Sequence, residues 1–204
     1  MRLPFIFLIT LFLWPPSAHA QEVRRLATET PEDFAKRIGP PNSELTHKVI
    51  QTEAWGRPNT VIAFYVVPLA AKNDSPATQV EGYLFIPGAG DSYEKILIKN
   101  FEEEGDTPRI EAVFFANADK DKAKELIVIC SWHQSHYDVN GKLYATFVFD
   151  DLRPGSYPAE LTFLESVSKQ VSGDCECEWR DGRKQKSKYK TAASVKAGLR
   201  RLGF

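Results

Sequence analysis

Four oxygen-bearing side chains, Asn117, Asp119, Asp121 and Glu125, fall at positions 1, 3, 5 and 9 of the stretch Asn117-Ala118-Asp119-Lys120-Asp121-Lys122-Ala123-Lys124-Glu125. That spacing lets a short loop turn alternate side chains towards one centre. A hard cation such as calcium takes about six to eight oxygens at roughly 2.3–2.6 Å. The Ala123 carbonyl would add a backbone oxygen, so the expected ligands are Asn117, Asp119, Asp121, Ala123 and Glu125. The chemistry is metal binding rather than a reaction. The competing reading is a solvated connection, because Asn and Asp favour turns through bonds to their own backbone.

Apolar runs flank the stretch, Ile110–Phe115 before it and Leu126–Cys130 after it. With them it resembles the calcium loop of the FG-GAP/VCBS repeats of integrin-type β-propellers, which reads Asp-x-Asp-x-Asp-Gly-x-x-Asp. The resemblance covers Ile110 to Cys130 and implies a calcium ligand role for the residues named above. Three positions depart from it: Asn117 replaces the first acid, Lys122 the glycine, and Glu125 the last acid. Lys120, Lys122 and Lys124 also offset the three carboxylates in the summed charge. A propeller needs several blades of roughly 40 residues, and the chain carries one such loop. The resemblance therefore implies a single calcium-binding connection within another fold.

Two histidines and an acid, His133, His136 and Asp138, could serve acid–base chemistry or bind zinc. On an extended chain, however, His133 and His136 point to opposite faces. The commoner reading is a polar strand end before the Asn140-Gly141 turn, and a third is a polar or aromatic binding surface around Trp132–Tyr137. Gly88-Ala89-Gly90-Asp91-Ser92 lacks the Gly-x-Ser-x-Gly elbow and reads as a surface loop. Asp150-Asp151 reads as a strand-ending turn.

The elements that must position these residues are mostly strands. Thr30-Pro31-Glu32-Asp33 starts a helix, with Phe34 and Ile38 on one face, and Gly39-Pro40-Pro41 stops it. Lys48–Trp55 and Thr60–Val67 read as strands joined by a turn at Gly56-Arg57-Pro58-Asn59, followed by a polar loop over Ala70–Thr78. Further strands are expected at Glu81–Ile86, Tyr93–Phe101, Arg109–Phe115, Glu125–Trp132 and Lys142–Phe149, the last preceded by the turn dipeptide Asn140-Gly141. Leu161, Leu164, Val167 and Val171 are spaced for a helix face ending at Gly173. Cys175–Trp179 and Lys184–Lys190 read as a hairpin. Thr191 caps a last helix with Val195, Leu199 and Leu202 inward. The expected fold is α+β, an antiparallel β-sheet meander with flanking N- and C-terminal helices.

Residues 1–20 read as a signal peptide: Arg2, then the apolar run Phe5–Trp14, then Ala18-His19-Ala20 as the cleavage motif. About ten apolar residues fall short of the roughly 20 that span a bilayer, so the mature chain, Gln21 to Phe204, is expected to be soluble and periplasmic or secreted. Residues 21–30 read as a mobile leader and 31–204 as one globular domain, with 174–204 a basic hairpin–helix appendage. From Gln21 to Trp179 there are 16 basic and 26 acidic residues; from Arg180 to Phe204 there are nine basic residues against Asp181 alone. That basic segment either docks on an anionic surface or folds onto the acidic body, and export argues against nucleic acid. Cys130, Cys175 and Cys177 leave one thiol over in an oxidising compartment, and spacing does not decide which two pair.

The sequence thus points to an exported, non-enzymatic binding protein with a structural calcium loop, contacting a protein or an envelope glycan. The alternatives are an envelope hydrolase using His133, His136 and Asp138, and a binder of anionic surfaces through Arg180–Arg201.

Overall fold

The computed structural model describes residues 19–72, 75–153 and 155–204, with side chains apart from 71–76. Of the expected signal peptide, residues 1–18 lie outside the described residues. Among the described residues, eleven strands form two antiparallel sheets, with three short helices against them. This is the expected α+β class, with the meander divided between two layers.

The first sheet contains β1 (Gln21–Arg24), β2 (Glu44–Leu45), β3 (Ile50–Ala54), β4 (Arg57–Lys72), β5 (Ser75–Pro87) and β6 (Ser92–Phe101). Its order is β1-β6-β5-β4-β2, with β3 also paired to β4. The second sheet is a plain meander of β7 (Arg109–Ala116), β8 (Glu125–Ser135), β9 (Val139–Phe149), β10 (Cys175–Trp179) and β11 (Lys184–Gln185). One face of each sheet packs on the other. Ile62, Phe64, Leu84, Ile96 and Ile98 meet Leu126, Val128, Cys130, Trp132 and Phe149, all almost wholly buried. Alternation along each strand produces this, since residues two apart share a face.

The outer faces are covered by helices. Helix α1 (Pro31–Ile38) is capped by Thr30, whose hydroxyl accepts the Asp33 N–H at 3.1 Å, and it buries Phe34 and Ala35 against Val61, Ala63 and Phe85. On the second sheet, α3 (Ala192–Leu202) and the segment around α2 (Glu165–Gln170) bury Val195, Leu199 and Val171 against Ile127, Ile129 and Val148. The basic C-terminal segment is therefore part of the same body. Leu202, expected to face inward, is 40% exposed at the helix end.

Strand β10 pairs with β9 only from Val139 to Leu143. Beyond that, the Thr146 N–H donates to Ser172 Oγ at 3.0 Å and the Val148 N–H to Ser168 Oγ at 2.9 Å. Serine hydroxyls thus replace the missing strand.

Several expected boundaries move. Gln21–Arg24, read as leader, is strand β1, because its backbone pairs with Ser92–Lys95 along the free edge of β6. The first hairpin turns at Trp55-Gly56, both at positive φ (50° and 74°) as a two-residue turn requires, so Arg57–Asn59 already belong to β4. The loop expected over Ala70–Thr78 is mostly paired strand, with Leu69 opposite Ala77. Asn140-Gly141 is not a turn: the chain reverses at His136–Asp138, where the His136 N–H donates to the Val139 carbonyl at 2.9 Å. Gly141 instead lies beside β10, where a side chain would collide with the Glu176 carbonyl and Cys177. The helix expected from Leu161 shrinks to Glu165–Gln170, because the Thr162 carbonyl accepts the Asp150 N–H and the Leu164 N–H donates to the Val148 carbonyl, both at 2.9 Å. Cys175 and Cys177 are joined as a disulfide on β10, and Cys130 is the free, buried thiol.

Candidate metal centre

The nine-residue stretch connects β7 to β8, and its last residue, Glu125, opens β8 opposite Ala116. Two aspartates shape the turn: Asp119 Oδ1 accepts the Asp121 N–H at 2.8 Å, and Asp121 Oδ1 accepts the Ala123 N–H at 2.7 Å. Local side-chain acceptors of this kind replace the glycine that a sharp turn otherwise needs. Glu125 is fully buried, and its Oε2 accepts the Ala118 N–H. Its Oε1 is also buried and has no hydrogen-bond partner.

The β8–β9 register supplies acids that the sequence reading left out. Leu126 pairs with Phe149, so one step further along the ladder Glu125 meets Asp150. Ligand oxygens of Asp119, Glu125 and Asp150 lie within 4.8 Å of one another, as do those of Asp121, Glu125 and Asp151. Two oxygens on opposite sides of one calcium ion would be separated by about 4.6–5.2 Å, so both triads are compact enough to share an ion. Every donor is a hard carboxylate oxygen, which suits calcium-class ions better than zinc or copper.

Charge is concentrated here. Burial, reinforced by Asp119 and Asp121 against the pull of the Ala118 N–H, pushes the Glu125 carboxyl up to about 7. Asp151 is raised too, by burial and then by Asp121, Asp150 and Asp119. Lys120, Lys122 and Lys124 are exposed, and none joins an ion pair among the described residues. The lysines that offset the acids in the summed charge are not paired with them in space.

The tip of the β3–β4 hairpin closes over the centre from the other sheet. Trp55 donates its indole N–H to the Lys124 carbonyl at 2.7 Å and sets its ring edge-on to Phe115, with centroids 5.6 Å apart. Arg57 lies over the Tyr157 ring at 5.4 Å and reaches the Arg153 carbonyl at 3.4 Å. One hairpin tip thereby holds both acid-bearing segments.

Of the expected ligands, Asp119, Asp121 and Glu125 come together. Ala123 serves the turn through its N–H, and Asn117 is exposed, lining a cleft with Lys196, Arg200 and Phe204 of the α3 side. Asp150 and Asp151 were not expected in the acidic cluster; the signal for them is the pairing register rather than local spacing.

The second candidate set does not converge. His133, His136 and Asp138 are all exposed; His136 and Asp138 line a groove with Trp179 and Arg180, whereas His133 lies on β8 opposite Lys142. Among the described residues they form no three-ligand group. Trp132, expected at a binding surface, is 3% exposed and packs in the core, while Tyr137 is 86% exposed under the Arg180 guanidinium, 4.6 Å from its ring. In the basic segment, Lys190 pairs with Glu176, Lys184 with Glu178 and Arg183 with Asp181. No helix among the described residues is long and apolar enough to cross a membrane.

The chain matches no family model, no curated protein and no solved structure.

Proposed function

We propose that the protein is an exported, non-enzymatic binding protein whose fold is clamped by a calcium-class cation between the β7–β8 loop and the end of β9. The observation that carries this reading is Glu125. A fully buried carboxylate with one oxygen unpartnered is expensive to keep ionised, and here it faces Asp119, Asp121, Asp150 and Asp151. A cation relieves both the desolvation and the mutual repulsion. Asp119, Asp121, Glu125, Asp150 and Asp151 would hold it, and its effect is structural, fastening two connections that Trp55 and Arg57 already bring together.

Thermal melting with and without calcium tests the reading. At a calcium concentration about one hundred times Kd the protein gains about 2.7 kcal/mol, a rise of several degrees for a chain of this length. The Asp119→Ala/Asp121→Ala double variant gives no rise. An unchanged melting curve for the wild type would sink the proposal.

A second reading concerns the partner, and the exposed Tyr137–Arg180 stack favours it. An exposed aromatic ring with a guanidinium over it suits a protein surface or an envelope glycan. Binding to isolated envelope fractions should fall in Tyr137→Ala/Arg180→Ala; equal binding by the variant removes this surface from consideration.

A further inference from the structure

The five carboxylates of the centre divide into two triads with a single shared member. Asp119 and Asp150 belong to one, Asp121 and Asp151 to the other, and Glu125 to both. The division follows from the chain. Asp150 and Asp151 are consecutive, directly after the end of β9 at Phe149. Each then meets a different aspartate of the β7–β8 loop. A single ion centred in one triad leaves the far pair of acids without a counter-charge.

Resting on the cation-binding reading above, we infer that the centre holds two calcium-class cations side by side, one per triad, with the buried Glu125 carboxylate bridging them. Glu125 has the free valences for that role. Its Oε1 carries no hydrogen bond, and its Oε2 accepts one N–H, from Ala118, although a carboxylate oxygen offers two lone pairs. Carboxylate-bridged ions sit about 3.5–4 Å apart, a separation that one carboxylate spans.

Charge argues the same way. One divalent ion among five carboxylates leaves three negative charges uncompensated around a residue with no access to water; a second ion leaves one. The exposed lysines of the loop do not make up the difference, since none pairs with a carboxylate among the described residues. The two positions are also unequal. Asp121 is exposed whereas Asp119 is half-buried, so the Asp119–Glu125–Asp150 position is the drier one and fills first.

Native mass spectrometry and calorimetric titration of the metal-stripped full chain with calcium chloride test the pair. The wild type binds two calcium ions in two steps. Asp151→Asn keeps the tight first step and loses the second, its affinity falling at least tenfold; Asp150→Asn loses the first and retains one weaker ion; Glu125→Gln, which can still accept the Ala118 N–H, weakens both. Circular dichroism and melting in chelator confirm that each variant is folded. One ion in the wild type overturns the pair and leaves the single-cation reading intact, whereas no ion overturns both. Two ions that survive both Asp150→Asn and Asp151→Asn overturn the pair as well, because the ions then lie elsewhere.

Discussion

Trp55 of the first sheet donates its indole N–H to the carbonyl of Lys124, 2.7 Å away, one residue before the buried Glu125 of the second sheet. The bond spans the two layers and ends at the carboxylate centre. Trp55 itself takes a positive φ of 50°, an unfavourable region for a bulky side chain. Its docking on Lys124 and Phe115 is what holds it there.

Trp55 is therefore placed to report on the centre. Calcium should change the tryptophan emission of the wild type, and Trp55→Phe should abolish the change while Trp132 and Trp179 remain. A calcium-dependent change of equal size in Trp55→Phe would show that the indole does not sense the site.

The metal-stripped protein should carry the signature of Glu125 in its pH dependence. The unfolded side chain titrates near 4.5 and the folded one at about 7, so between those values the folded state holds the extra proton. Stability then falls as pH rises through that window, by at most about 3.5 kcal/mol at roughly 1.4 kcal/mol per unit, and levels off above it. Urea titrations in chelator at pH 5 and pH 8 measure the difference, and Glu125→Gln should flatten it. Calcium should reverse the trend, because the ion binds the ionised form.

Gly141→Val should loosen β10. The new side chain collides with the Glu176 carbonyl and Cys177 on the neighbouring strand, and overpacking of this kind costs about 1–3 kcal/mol. The denaturation midpoint should drop accordingly, with faster hydrogen exchange along Cys175–Trp179; an unchanged midpoint would contradict the close approach.

Ser168→Ala removes the hydroxyl that accepts the Val148 N–H at 2.9 Å and donates to the Leu164 carbonyl at 2.8 Å. Ser168 is 3% exposed, so the amide is left without a partner, at a cost of about 1–3 kcal/mol. Chemical denaturation reads this directly, and a loss well under 0.5 kcal/mol would mean that water reaches Val148.

The strands were legible because alternation is a local property. Leu143, Ala145, Phe147 and Phe149 all face inward as their spacing implies. Register is not local. A turn at Asn140-Gly141 sets Phe149 opposite Trp132, whereas the structure sets Leu143 there, six residues earlier. An even shift keeps every side chain on its own face, so the misplaced turn left the core reading intact and hid only the neighbours. Among those neighbours is Asp150 beside Glu125. The loop half of the acidic cluster could be read from spacing along the chain, and the half that follows β9 could not, because it depends on which residue ends opposite which. The two-residue turn at Trp55-Gly56 was obscured similarly, since a tryptophan at positive φ has no local signal and is held by contacts distant in sequence.

Cys130 sits at the centre of the inter-sheet core with no exposed surface, and burial raises its thiol far above the usual range. It is the free cysteine of the chain. An alkylating reagent can reach it only when the two sheets separate, so its modification rate is an internal clock for opening of the whole sandwich. Run with and without calcium, that clock distinguishes a cation that merely steadies a surface loop from one that keeps the layers shut.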